Sequence, residues 1–147
     1  MNPKAQQVIS MCDLKLVGAN ISACNYFVRD VATALGLNAS GFLNTTATAQ
    51  VLQLAANTDW TNLGRGNAGA SAAMVAINDG KLVIAGWKPA GSGHGHVAIA
   101  VVGTPVNGWP IGYWGQYPSG PGGFGESLRE SFGATKRPDT QFFAREF

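Results

Sequence analysis

The order of patterns along this 147-residue chain predicts an α+β domain with an antiparallel sheet. Helical periodicity fills the first 79 residues, apolar strand-sized runs follow Gly80, and glycine-rich turns join those runs. Helices first and hairpin-linked strands afterwards give helices packed on an antiparallel sheet, not strands alternating with helices in a parallel one. The length suits one domain, residues 1–147, with no internal repeat, and a hydrophobic content of 46% is enough for one core.

Each element has its own signal. Over residues 3–17, Val8, Met11, Cys12 and Leu16 recur at helical spacing, which predicts a short amphipathic helix with Cys12 on its buried face. Residues 18–22 break it. Ser22 is then the expected N-cap of a second helix, with Phe27, Val31, Ala34 and Leu35 on its apolar side and Gly36 ending it. "TATAQVLQLAAN" (residues 46–57) predicts a third helix, and the alanine-rich "NAGASAAMVAIND" (67–79) a fourth that can pack closely. "KLVIAGW" (81–87), "HVAIAVVG" (96–103), "IGYWGQY" (111–117) and the closing "QFFAREF" have strand patterns. The glycine-rich "KPAGSGHG" joins the first two. "PSGPGGFG" (118–125) is expected to be a mobile loop bordering the cleft.

Composition excludes several function classes. The net charge is +2 with a pI near 8.7, and no Lys/Arg cluster of the kind a nucleic-acid binder displays is present, so no nucleic acid is expected. A weakly positive surface tolerates an anionic polymer such as cell wall. Two cysteines and two histidines, at these spacings, fit none of the familiar zinc patterns, and neither metal nor cofactor is expected. The first twenty residues hold no continuous apolar run of the secretory kind, and "VAIAVVG", the longest apolar candidate, is strand-sized, so neither signal peptide nor membrane span is expected. Such a protein works in the cytoplasm or leaves by a route that reads no cleavable signal.

The chemistry gathers at two places. Cys24 falls in the first turn of the helix after Ser22, where unpaired N–H groups and the positive end of the helix favour a thiolate and can hold an oxyanion. A cysteine that merely fills space is the commoner case. From the helix alone the two readings have equal weight. The second place is "GSGHGHVAIAVV", where a histidine opens a strand behind glycines that let a substrate backbone approach. His94 and His96 both qualify as general base. His96 is preferred because it adjoins the strand and is held more rigidly, whereas His94 sits in the glycine run. Spacing alone leaves open that both are solvated turn residues.

A cysteine opening a helix, then a histidine leading a strand of a small antiparallel sheet, resembles the papain-like cysteine amidases of the NlpC and CHAP kinds. "CNYFVRDVATALG" is similar to their nucleophile helix and "GHVAIAVV" to their base strand. The chain most resembles family 1 of the type VI secretion amidase effectors, over roughly residues 20–115. The resemblance implies a papain-like, NlpC-type fold with N-terminal helices packed on a small antiparallel sheet. It implies hydrolysis of stem-peptide amide bonds in bacterial peptidoglycan, at the γ-D-glutamyl–meso-diaminopimelate bond, with Cys24 as nucleophile and His96 as base. It further implies an antibacterial effector, made in the cytoplasm as a monomer, delivered to the periplasm of a target bacterium and blocked by a cognate immunity protein.

The sequence departs from the family in places. The common pattern has Asp or Asn before the cysteine and Ser after it, where this chain has Ala23 and Asn25. Asn25 is a candidate hydrogen-bond donor near the substrate. The group that orients the imidazole lies, in these folds, on the strand after the histidine strand. At the family 1 position stands Trp114, whose indole cannot accept a hydrogen bond. Gln116 is the named candidate, with the backbone carbonyls of Tyr113 or Trp114 as alternatives and Asp30 and Asp59 as weaker ones. Tyr113, Trp114 and His94 are candidate substrate-binding residues. A Cys12–Cys24 bridge would consume the nucleophile and is not expected. Rival readings are a phage or autolytic wall hydrolase, an acyltransferase on the same scaffold, and a non-catalytic wall-binding module.

Overall fold

A computed structural model describes residues 1–37, 44–116 and 122–147. Five helices and a six-stranded, wholly antiparallel sheet make it an α+β protein. Helix α1 (Pro3–Lys15) is followed by a 3-10 turn (Gly18–Ser22), α2 (Cys24–Ala34) and α3 (Ala47–Ala56). Then come β1 (Thr61–Arg65), α4 (Gly66–Asn78), β2 (Leu82–Trp87), β3 (His96–Val106), β4 (Trp109–Trp114), β5 (Gly123–Ser127), α5 (Leu128–Ser131) and β6 (Gln141–Arg145). The strand order is β1-β6-β2-β3-β4-β5.

Helices cover both faces of the sheet. Alternation along the strands explains how, since successive side chains point to opposite faces. Leu82 and Ile84 of β2, Val97, Ile99 and Val101 of β3, and Phe143 of β6 face a core shared with α1, α2 and α3. Their neighbours Val83, Ala85, Ala98, Ala100, Phe142 and Ala144 face a second core with α4 and α5. The small residues of α4, Ala70, Ala73 and Ala76, are buried there, as the alanine-rich pattern predicts. The expectation of helices on a small sheet is thus corrected to two helical layers, one on each face.

Several elements differ in detail. In α2, Phe27, Val31 and Leu35 are buried as expected, but Ala32 is buried in place of Ala34, which is exposed. The helix ends with Gly36 N–H bonded to Thr33 and Leu37 N–H to Ala32, the paired bonds of a glycine C-terminal cap. β1 and β5 carried no readable signal, and the short α5 was not predicted. "TNLGR" has one large apolar residue and "GFGES" is glycine-rich, and each forms an edge strand whose pairing comes from a neighbour. Residues 123–125, expected in a loop, belong to β5. The rest of the expected loop, residues 118–121, lies outside the described residues. Among the described residues no helix is long and apolar enough to cross a membrane.

Candidate functional site

The site begins with an uncapped helix. α2 starts at Cys24, and its N-cap position falls on Ala23, which makes no side-chain cap bond. Ser22, the expected cap, is instead the last residue of the 3-10 turn. That turn is pinned from the sheet: Gln116 N–H bonds the Ile21 carbonyl at 2.8 Å, and a side chain at Gly115 would strike the Asn20 carbonyl. Asp30 of α2 ties it from the other side, accepting from Asn20 Nδ2 at 2.9 Å and Arg29 Nε at 2.8 Å. Burial works against the Asp30 carboxylate, but these two donors hold its pKa below the ordinary value. Asp30 is therefore a structural tie at the entry to α2.

With no side chain on the first turn, its N–H groups are open to another acceptor. The Cys24 sulfur lies beside them, and the backbone N–H groups of Val97, Asn25 and Cys24 favour its anion. The sulfur is nonetheless buried, at 5% exposure of the residue. Burial raises its pKa, and these N–H groups offset that only in part. The sequence expectation of a thiolate is reversed: the resting form is the thiol. Cys12 is fully buried in α1 and raised further, by burial and by Asp13, and both cysteines are free.

His96 opens β3, opposite Trp87 of β2 and one residue before the Val97 N–H that meets the sulfur. Its Nε2 lies 2.7 Å from Ser131 Oγ, and its ring packs on Phe132 with centroids 5.1 Å apart. Burial, then the charge of Lys136, lowers its pKa to about 4. The Lys136 ammonium sits over the Trp87 ring, 4.7 Å from its centroid. The imidazole is therefore neutral at neutral pH.

Cys24 and His96 line one cleft of about 580 Å³. Its walls are residues 22–26, the start of α3 at residues 46–48, and the glycine-rich turn at residues 93–96. Thr48 holds that turn in place: its hydroxyl donates to the Gly93 carbonyl at 3.1 Å and accepts from Gly95 N–H at 2.8 Å. Only glycine fits at position 95, because a Cβ there would lie 2.7 Å from the Trp87 carbonyl and 2.9 Å from Thr48 N. No carboxylate, lysine or arginine lines the cleft among the described residues.

No protein-family model matches this chain, and a search of curated proteins finds no significant match.

The remaining sequence candidates divide. Asn25 and His94 line the cleft, His94 from an exposed position on its rim. Asn25 Nδ2 donates to the Thr45 carbonyl at 2.9 Å, and its own carbonyl accepts from the buried Gln50 Nε2 at 3.0 Å, so α2 and α3 are tied together there. Gln116 does not orient the imidazole. It is exposed and its described role is the backbone bond to Ile21, while Ser131 holds the ring nitrogen. Tyr113 and Trp114 are not cleft residues either. Tyr113 is buried in the first core, with burial and then the neighbouring Asp13 carboxylate raising its pKa to about 12. Trp114 is buried in the second core. Asp59 is exposed, 3.9 Å from Arg145.

Ser131, Lys136 and Thr48 were missed. The "SLRE" of residues 127–130 has the Ser-x-x-Glu spacing of a helix start, and Ser127 Oγ does accept from Arg129 N–H at 3.2 Å. That signal locates α5 but not what it faces. Among the described residues no group of three or more His, Cys, Asp or Glu side chains is placed to hold a metal ion. A thiol and an imidazole that line one open cleft, beside the first turn of a helix, are the residue types from which a nucleophile and a base for acyl transfer are built.

Proposed function

We propose that the protein is a cysteine amidase that hydrolyses stem-peptide amide bonds in bacterial peptidoglycan. The observation that carries this reading is the cleft lined by both Cys24 and His96, with the strand that bears His96 also presenting the Val97 N–H that favours the Cys24 anion. The resemblance of "CNYFVRDVATALG" and "GHVAIAVV" to the nucleophile helix and base strand of papain-like amidases supports the substrate class.

In this mechanism the thiol is deprotonated as it attacks. His96 takes the Cys24 proton, the sulfur adds to the scissile carbonyl, and the oxyanion develops toward the first-turn N–H of Cys24. Collapse of the tetrahedral species breaks the C–N bond, and the imidazolium gives its proton to the leaving amine. Water, deprotonated by His96, then cleaves the thioester and restores the thiol. A neutral resting pair suits this sequence, because both burial effects disfavour a preformed thiolate–imidazolium pair. The absence of charged side chains from the described lining accords with a cleft that grips a peptide through backbone and neutral polar contacts.

The γ-D-glutamyl–meso-diaminopimelate bond, a monomeric antibacterial effector delivered to a target periplasm by a type VI machine, and a cognate immunity protein complete the proposal. Digestion of Gram-negative sacculi by wild type and by Cys24→Ala, with products identified by mass, tests it. The wild type is expected to release muropeptides cut at one bond and the variant none. Release by the variant, or none by either protein, overturns it. Lysis of a host only when the chain is directed to its periplasm tests the setting.

A further inference from the structure

We infer that Ser131 is the positioning residue of His96: its oxygen accepts the Nε2 proton and so leaves Nδ1 as the basic nitrogen of the ring. The inference rests on the reading of Cys24 and His96 as a reacting pair. A neutral imidazole has one N–H and one lone pair, and the partner of one nitrogen decides which the other carries. Ser131 Oγ is 2.7 Å from Nε2, and among the described residues it is the only hydrogen-bond partner of the ring. If the serine hydroxyl donated instead, Nδ1 would carry the proton and the lone pair a base needs would be taken up by Ser131.

The surroundings fit a positioning role. Phe132, the next residue, packs on the imidazole at an interplanar angle of 57°, so the segment that holds Nε2 also limits rotation of the ring. Ser131 does not line the cleft, which separates its hydroxyl from substrate and removes it as a second nucleophile. A neutral acceptor orients the ring without the basicity a carboxylate would add. The charged and titratable groups around the ring agree with that choice: Lys136 bears on it from beyond α5, Cys24 and His94 share its cleft, and no carboxylate is among the causes acting on its pKa. β3 supplies the imidazole, and the α5 segment on the face it packs against holds its Nε2.

The test uses the whole protein without substrate. Long-range nitrogen–proton NMR of the His96 ring is expected to show a single Nε2–H tautomer in wild type and a mixture in Ser131→Ala. Iodoacetamide alkylation of Cys24 at neutral pH should slow about 10-fold in that variant, the typical effect of losing one hydrogen bond, and recover in Ser131→Thr. Against sacculi the same change is expected in kcat with KM unmoved. Ser131→Asp serves if the alanine variant does not fold, since a carboxylate at Nε2 must raise the His96 pKa. An unchanged tautomer and alkylation rate in Ser131→Ala, or an unmoved His96 titration in Ser131→Asp, overturns the inference. Wild type that leaves sacculi intact while these ring and thiol effects hold removes the proposed substrate and keeps the role of Ser131.

Discussion

The backbone N–H of Val97, the residue that follows His96 on β3, acts on the sulfur of Cys24 and favours its anion. One strand therefore carries both the proposed base and a backbone group that tunes the proposed nucleophile, and the register of β3 fixes their relation. A shift of β3 by one residue would exchange the faces of Val97 and His96 and dismantle the site.

The pH profile should be broad. Base catalysis needs neutral His96, whose pKa is lowered from 6.5 to about 4, and the Cys24 thiol is raised above its own ordinary value. Cleavage is expected to rise through a limb near pH 4 and to stay level through neutrality, and a limb centred at the ordinary imidazole value would contradict a buried neutral base. Stability follows the same group. The folded state holds His96 at about 4 and the unfolded chain at 6.5, so the unfolded chain binds more protons between those values. Stability is fully present above the unfolded value and falls as pH drops toward the folded one, by on the order of 3 kcal/mol. Urea unfolding at several pH values, repeated for His96→Phe, measures it.

Lys136→Met keeps the aliphatic stem over Trp87 and removes the charge that lowers the His96 pKa. The acid limb should move toward neutral pH. Loss of the cation–π contact costs about 0.5–1 kcal/mol. Rate profiles and melting curves of the two proteins separate these effects.

Gly95→Ala places a methyl group against the Trp87 carbonyl and Thr48 N, so the turn carrying both histidines must move. Such overpacking costs about 1–3 kcal/mol, and displacement of the base by a fraction of an ångström to one ångström lowers the rate by on the order of 100-fold. Thr48→Val, which loses the bonds to Gly93 and Gly95, should weaken activity in the same direction. Activity equal to wild type in both variants would show that the turn does not set the geometry.

Tyr113→Phe removes a hydroxyl that lies beside Asp13 at the first core, outside the cleft lining. It should lower stability by about 1 kcal/mol and leave kcat and KM unchanged. A raised KM would return Tyr113 to the substrate groove.

Intact mass after alkylation should count the thiols by environment. Cys24 borders the cleft and Cys12 is fully buried, so the native protein is expected to take up one label and the urea-unfolded protein two. Two labels on the native protein would mean that α1 opens readily.

The four long helices and the strands β2, β3, β4 and β6 were legible because each carries a periodic apolar signal of its own. Cys24 and His96 were legible as a pair because each opens an element. What escaped the sequence depended on pairing between distant segments. Ser131 meets His96 across 35 positions of chain, and nothing local to "LRES" marks its last residue as a partner of a ring. Gln116 was favoured because it lies on the expected strand 111–117, yet β4 ends at Trp114 and leaves it exposed. The thiol's protonation also escaped. A helix terminus can be read from spacing, but the depth of burial that outweighs it depends on how α2 is seated against β3. Ala23 in place of Ser22 at the helix start shows the same limit at the scale of one residue.

The last strand in the chain sits between β1 and β2, pairing Phe143 with Asn62 on one side and with Ile84 on the other. Those two strands have no hydrogen bonds to each other, so a nascent polypeptide holds them as separate halves until residue 145 has cleared the ribosomal exit. Assembly of the sheet therefore waits on contacts between distant segments, governed by the slow closure of long loops. The chain can build the β2–β3–β4 meander and the helices that cover it first, but β1 joins the sheet only through β6.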